Sequence, residues 1–306
     1  MSPLYAEVLA FCRAQLAQQT HRPVVIGIQG PQGAGKTTLT RALIDALPAL
    51  GLTGTTVSID DFYMTRAGQL EVAAAHPGNP YMEHRGYPGT HDIALGEQTL
   101  ESLRGCGPVR AGADGCEQVR AGADGCGPVR AGADGCEQVR AGADGCEQVR
   151  AGADGCEQVR LPVYDKSAHG GRGDRAPVEQ WRTVPTPLDL VFVEGWMLGF
   201  TPVPELSLTD PNLVVPNRAL AEYERWYRHI DAWGILRALD PNYVLTWRVE
   251  AEERMKADGK PGLSRADIED YIRRFIPAYN TWGGTPPAVP PDRQIQIRVG
   301  LGRERG

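Results

Sequence analysis

The sequence predicts an α/β fold of three layers, with a mainly parallel sheet between two layers of helices. Three observations predict it. Val24-Val25-Ile26-Gly27-Ile28 and Leu188 to Trp196 are short, nearly continuous apolar runs, the pattern of strands buried on both faces. Helix-like segments alternate with such runs, as parallel strands joined by crossovers require. The first run leads directly into Gly30-Pro31-Gln32-Gly33-Ala34-Gly35-Lys36-Thr37-Thr38, a G-x-x-x-x-G-K-T turn that opens a helix-like stretch, Leu39 to Leu47.

The remaining elements follow in order. Met1 to Thr20 carries a helical pattern through Leu4, Val8, Phe11 and Cys12. Thr55 to Ile59 reads as a second strand, ending in Asp60-Asp61-Phe62-Tyr63. A long loop rich in Gly, Pro and His comes next, then a helix over Asp92 to Leu103. Leu188 to Trp196 is a central strand that ends in an acid, Glu194. Ala232 to Leu239 is a further strand. Tyr243 to Ala257 and Ser264 to Thr281 are helices, the second opened by Ser264 with Asp267 three residues on. Gln294 to Val299 is the last strand. In such a sheet, ligands bind at the carboxyl ends of the strands.

Between these elements the chain repeats itself. Ala-Gly-Ala-Asp-Gly-Cys-Glu-Gln-Val-Arg recurs every ten residues from Gly105 to Leu161, with Gly-Pro replacing Glu-Gln in two copies, and it holds six of the seven cysteines. No C-x-x-C pair and no histidine lies in the array, which speaks against a metal or disulfide module. Each unit offers Val, Cys and two Ala as apolar matter, too little to offset its ordering entropy. Residues 106–160 are therefore expected to form a disordered insertion without chemistry, interrupting a single domain over 1–306. Removing Ala111 to Arg160 would leave an uninterrupted α/β domain.

Composition limits the function. The apolar fraction of 42% and charged fraction of 23% are those of an ordinary globule. A net charge of −6 excludes a general nucleic-acid binder. No run of 18 apolar residues is present, so no membrane span is expected, and the N-terminal segment lacks the apolar core of a signal peptide. The expected compartment is the cytoplasm.

The glycine-rich turn carries the chemistry. Main-chain N–H groups of Gly30, Gln32, Gly33, Ala34, Gly35, Lys36, Thr37 and Thr38 would cradle the phosphates of a nucleoside triphosphate, helped by the dipole of the helix that follows. Lys36 would reach the β- and γ-phosphates and the Thr37 hydroxyl would ligate Mg²⁺. Glu194 closes an apolar strand, where an ionised acid is costly unless it meets a cation, so it joins the metal site. No N-K-x-D tetrad is present, which weakens a GTPase reading.

D-F-Y after the second strand and V-F-V-E-G after a later one resemble the phosphoribulokinase and uridine kinase group of P-loop kinases. Further segments are similar to the D-glycerate 3-kinase family within it. They are Arg85-Gly86-Tyr87-Pro88-Gly89-Thr90-His91-Asp92, Tyr164-Asp165-Lys166-Ser167-Ala168-His169-Gly170-Gly171-Arg172-Gly173-Asp174-Arg175, and Val193-Glu194-Gly195-Trp196-Met197-Leu198-Gly199-Phe200. The resemblance implies an ATP- and Mg²⁺-dependent kinase acting on the 3-hydroxyl of D-glycerate, with a helical lid. It implies Asp60 as the base for the attacking hydroxyl, with a second role at the metal; a turn cap is its plain structural reading. Asp61 is either a ligand to a metal-bound water or a solvated neighbour. Tyr63, Arg85, Thr90, His91, Lys166, His169, Arg172 and Arg175 are candidates for acceptor binding, the basic ones because guanidinium and ammonium groups recognise a carboxylate. The alternative for each is a loop pinned by salt bridges. Arg248 and Arg254 on the Tyr243–Ala257 helix would supply lid charge, or form a solvated face. Two rival functions stand: another small-molecule kinase of the group, taking uridine, pantothenate or ribulose phosphate, and a regulatory P-loop nucleoside triphosphatase.

Overall fold

The apolar run Val24–Gln29 forms the central strand β1, every residue buried, in a computed structural model that describes residues 3–105, 158–240, 242–257, 265–283 and 287–303. Around it, in chain order, lie α1 (Pro3–Gln18), β1, α2 (Lys36–Ala46), β2 (Gly54–Ser58), α3 (Arg66–Ala75), α4 (Ile93–Gly105), β3 (Gln158–Leu161), β4 (Tyr164–Asp165), the short turn α5 (Ala168–Gly171) and β5 (Asp174–Arg175). Then come β6 (Arg182–Pro185), β7 (Leu190–Gly195), α6 (Val214–Ala219), α7 (Glu224–Tyr227), β8 (Ala232–Ala238), α8 (Tyr243–Ala257), α9 (Arg265–Arg273), α10 (Ile276–Trp282) and β9 (Gln294–Val299).

The main sheet has five strands in the order β2-β7-β1-β8-β9, all parallel. Side chains alternate across it, as strand geometry demands. Val24, Ile26, Ile28, Leu190, Phe192, Leu236 and Ile297 face one core, with α1, α2, α8 and α9. Val25, Val57, Val191, Val193, Trp233 and Ile235 face the other, with Leu100, Trp226 and Trp282 from the covering helices. The three-layer expectation is met. No helix among the described residues is long and apolar enough to cross a membrane.

Where expectation and structure differ, the reasons are local. The helix after the glycine turn starts at Lys36 rather than Leu39, because Gly35 in the left-handed conformation (φ +92°) starts it directly. The second strand stops at Ser58; Ile59–Phe62 is a tight turn whose start is capped by the Ser58 hydroxyl accepting from Asp60 N–H. The expected loop before Asp92 contains α3, capped by the Thr65 hydroxyl accepting from Gly68 N–H. The single helix expected over Ser264 to Thr281 is two, α9 and α10. Pro277 in the first turn of α10 lacks an N–H and would clash with the carbonyl of Arg273 in an unbroken helix. The Ser264 cap lies outside the described residues, as does the insertion expectation over 106–157. Gln158–Arg160, counted with that insertion from sequence, instead belong to β3. They pair antiparallel with β6 and bury Val159, because Val159 and Leu161 share one face of the strand.

Candidate active site

Register brings the site together. Ile28 of β1 and Ser58 of β2 both flank Glu194 of β7, so the glycine turn, the Asp60 turn and Glu194 emerge at the same carboxyl edge. Gly33 takes φ +81° and the space a side chain would need is filled by Trp247 of α8, whose Cβ lies 2.4 Å from an added Cβ. A bare, left-handed residue is what lets the loop fold beneath that helix.

The Lys36 ammonium is buried and donates to the carbonyls of Gly30 (2.8 Å) and Pro31 (3.1 Å). Burial lowers its pKa, against the opposing fields of Glu194 and Asp60. The Thr37 hydroxyl donates to Glu194 Oε1 at 3.1 Å. A hydroxyl and a buried carboxylate at the phosphate end of the loop form the hard oxygen set that Mg²⁺ prefers, so these two residues fit the expected cation. Asp60, the third residue assigned to the metal from sequence, is engaged elsewhere: its Oδ2 accepts from Lys166 Nζ at 2.5 Å. Burial acts to raise the Asp60 pKa, but the Lys166 charge and hydrogen bond, with His91 and Lys36, carry it below the usual carboxylate range. Asp61 points the other way and accepts from Tyr164 N–H at 3.2 Å; burial raises its pKa to about 6.

The candidate acceptor loops divide into pins and open groups. Thr90 is fully buried, its hydroxyl donating to Tyr87 C=O (2.7 Å) and accepting from Gly86 N–H (3.0 Å). It holds its own turn together. Arg85 lies over the Tyr164 ring and donates to the carbonyls of Gly171 and Arg172. Arg175 spans Asp92 (2.9 Å) and the Tyr63 carbonyl (3.1 Å). These two arginines fasten the β4–β5 hairpin to the core. Lys166, His169 and Arg172 are exposed, with His169 beside Asp174 and Arg172 against the His84 ring.

Tyr63 is buried and stacks on His91 at 4.3 Å between ring centroids. His91 is buried too, and burial depresses its pKa to about 3, so the ring is neutral. The Tyr223 hydroxyl accepts from Gly89 N–H (3.1 Å) and lies 2.7 Å from His91 Nδ1. The Tyr223 hydroxyl and Nδ1 share a hydrogen bond at one edge of the ring, with Nε2 at the other. That Nε2 has no protein partner.

Three residues that sequence reasoning missed also shape the site. Arg303 donates to the Gly33 carbonyl (2.7 Å) and to Glu250 (2.8 Å) while lying over Trp247. Tyr279 accepts from Gln32 N–H at 3.1 Å, and Tyr223 hydrogen-bonds the buried His91 ring. None sits in a motif, and only the fold delivers them. Arg248 and Arg254, expected as lid cations, pair on their own helix with Glu252 and Glu250.

The chain has relatives among known kinases. The chain is 34% identical over 96% of its length to D-glycerate 3-kinase of Arabidopsis thaliana, a chloroplast protein by name, and spans 58% of that protein. It is 31% identical over 86% of its length to the uncharacterized kinase mug58 of Schizosaccharomyces pombe, spanning 82% of it. The chain belongs to the same kinase family as mug58. The solved D-glycerate 3-kinase of Cryptococcus neoformans superposes with a TM-score of 0.76 at 26% identity, covering 100% of this chain and 98% of that one. No protein-family model matches the chain. This chain gathers its phosphate loop and carboxylates at one sheet edge. The β4–β5 hairpin with Lys166 closes that edge from above.

Proposed function

We propose that this chain transfers the γ-phosphoryl group of ATP to the 3-hydroxyl of D-glycerate, giving 3-phosphoglycerate and ADP. The observation that carries the reading is the meeting of Asp60 and Lys166 beside Lys36 and Glu194: a proton-accepting carboxylate, a cation for an acidic acceptor and a phosphate loop share one edge. The likeness to proteins named D-glycerate 3-kinase supports the choice of acceptor.

Phosphoryl transfer needs little covalent help from the protein; it needs positioning and charge neutralisation. Lys36 leaves the carbonyls of Gly30 and Pro31 for the β- and γ-phosphates, while the loop amides take the remaining phosphate oxygens. Thr37 and Glu194 would hold Mg²⁺, which would neutralise charge on the phosphates. The 3-hydroxyl oxygen bonds to the γ-phosphorus as the bond to the β–γ bridging oxygen breaks. Its proton passes to the Asp60 carboxylate, which its low pKa keeps ionised. Lys166, His169 and Arg172 provide positive or hydrogen-bonding groups on the acceptor side. A cytoplasmic location, and a small-molecule acceptor rather than a nucleic acid or membrane, belong to the same proposal.

An ADP-release assay over D-glycerate, uridine, pantothenate and ribulose 5-phosphate tests it. Turnover with D-glycerate is expected. Turnover with a nucleoside and none with D-glycerate would replace the acceptor, and slow hydrolysis indifferent to every acceptor would point to a regulatory nucleoside triphosphatase.

A further inference from the structure

Lys166 stands apart from the other basic groups of its hairpin. Arg85 and Arg175 are tied to main-chain carbonyls and Asp92, His169 to Asp174 and Arg172 to His84. Lys166 alone among these candidates lands on the proposed base, Asp60, at 2.5 Å. Its backbone is fixed: the carbonyl accepts from Arg85, and the next residue is held by an Asp165 turn, with Ser167 N–H and hydroxyl both donating to Asp165 Oδ1. Its side chain is 58% exposed, whereas that of Asp60 is 26% exposed. A rooted residue thus places a movable ammonium on the oxygen that has to receive the acceptor's proton.

We propose that Lys166 is an acid-operated latch on Asp60. Resting on the acceptor-side reading above, it deepens that reading by assigning how the site tells an acid from a neutral alcohol or from water. Without an acceptor, Lys166 occupies Asp60 Oδ2 and lowers the basicity of the carboxylate, so a water lying beside the γ-phosphate meets a weakened base. An acceptor carboxylate offers the ammonium a second anion and draws it away. Asp60 is then open to the hydroxyl carried by the same molecule. An alcohol without a carboxylate leaves the latch shut, so discrimination falls on turnover and not only on binding. The same device restrains wasteful transfer to water, in which the water oxygen bonds to the γ-phosphorus, ADP departs and the proton must go to Asp60. Because an exposed ion pair is weak, the closed form outweighs the open one by at most about five to one, which keeps the latch easy to open.

Glycolate tests this on the wild-type chain. It carries the carboxylate and neighbouring hydroxyl of glycerate but lacks the C3 hydroxymethyl group, leaving room for water. Release of inorganic phosphate from MgATP, which phosphorylation of glycolate itself would not produce, is the readout. Saturating glycolate should raise phosphate release up to about fivefold, the limit set by the closed-to-open ratio, and glycerol should not. Lys166→Met should raise acceptor-free release by a similar factor and abolish the response to glycolate. It should also narrow the preference for D-glycerate over glycerol, through kcat. A residue that merely braced the loop would lower all of these rates together. Flat or reduced phosphate release with glycolate overturns the latch, whether or not Lys166→Met folds. The two proposals fail separately. Glycolate stimulation without D-glycerate turnover removes the acceptor assignment and keeps the latch, while D-glycerate turnover without glycolate stimulation does the reverse.

Discussion

Lowering the pH from 8 to 5 withdraws stability from this chain through His91, and His91→Asn should cancel that loss. His91 is buried and neutral, with a pKa brought from 6.5 to about 3 by desolvation. The sign follows from linkage. Above pH 6.5 the ring is neutral both folded and unfolded, and its full contribution is present. As pH falls below 6.5 the unfolded chain takes up a proton that the folded chain refuses, so stability drains until the folded pKa near 3 is reached. At one pKa unit for about 1.4 kcal/mol, the loss at pH 5 is about 2 kcal/mol, since the unfolded ring is almost wholly protonated there and the folded ring is not. Asparagine does not titrate and keeps an acceptor for the Tyr223 hydroxyl. Its baseline stability falls because the stacking on Tyr63 goes, but its slope with pH should be shallower. Urea unfolding of both proteins at pH 8 and pH 5 gives the double difference, in which other titrating groups cancel. A wild type and variant that lose stability in parallel would refute the reasoning: His91 would then be charged or solvated when folded.

Lys36→Ala should abolish turnover, because no other residue donates an ammonium within the glycine loop; steady-state kinetics with D-glycerate check it. Asp60→Asn should leave ATP binding near normal while lowering kcat about 10²–10⁴-fold, the usual worth of a positioned base. Wild-type kcat in that variant would move the base elsewhere. Gly33→Ala should cost about 1–2 kcal/mol from its left-handed backbone alone, with the clash against Trp247 added, read as a lower melting temperature and a higher KM for ATP. Removing Ala111 to Arg160 should preserve folding and activity. Val109-Arg110 repeats Val159-Arg160, so the junction again reads Val-Arg-Leu and β3 keeps its buried residues; a folded but inactive deletion protein would show that the array matters.

Legibility differed by kind of residue. β1, β7, β8 and β9 fall where the apolar runs put them, because strands covered on both faces leave a strong pattern. The Ser264 to Thr281 helix was misjudged for want of weight on Pro277. That the Thr90 hydroxyl pins its own turn is not legible in one dimension, where a motif residue that holds a turn looks like one that holds a ligand. Tyr223, Tyr279 and Arg303 left no signal at all, since each acts on a partner more than a hundred residues away in sequence.

By itself, the sequence determined the layer pattern, the phosphate loop and its lysine, and the carboxylates at the strand ends. These depend on local backbone requirements and on which face a residue presents. The tertiary structure alone decided which acid meets which base. Thr37 with Glu194, Lys166 with Asp60 and Tyr223 with His91 are joined across separate elements, and such pairings are set by strand register and loop closure rather than by anything a neighbouring residue records.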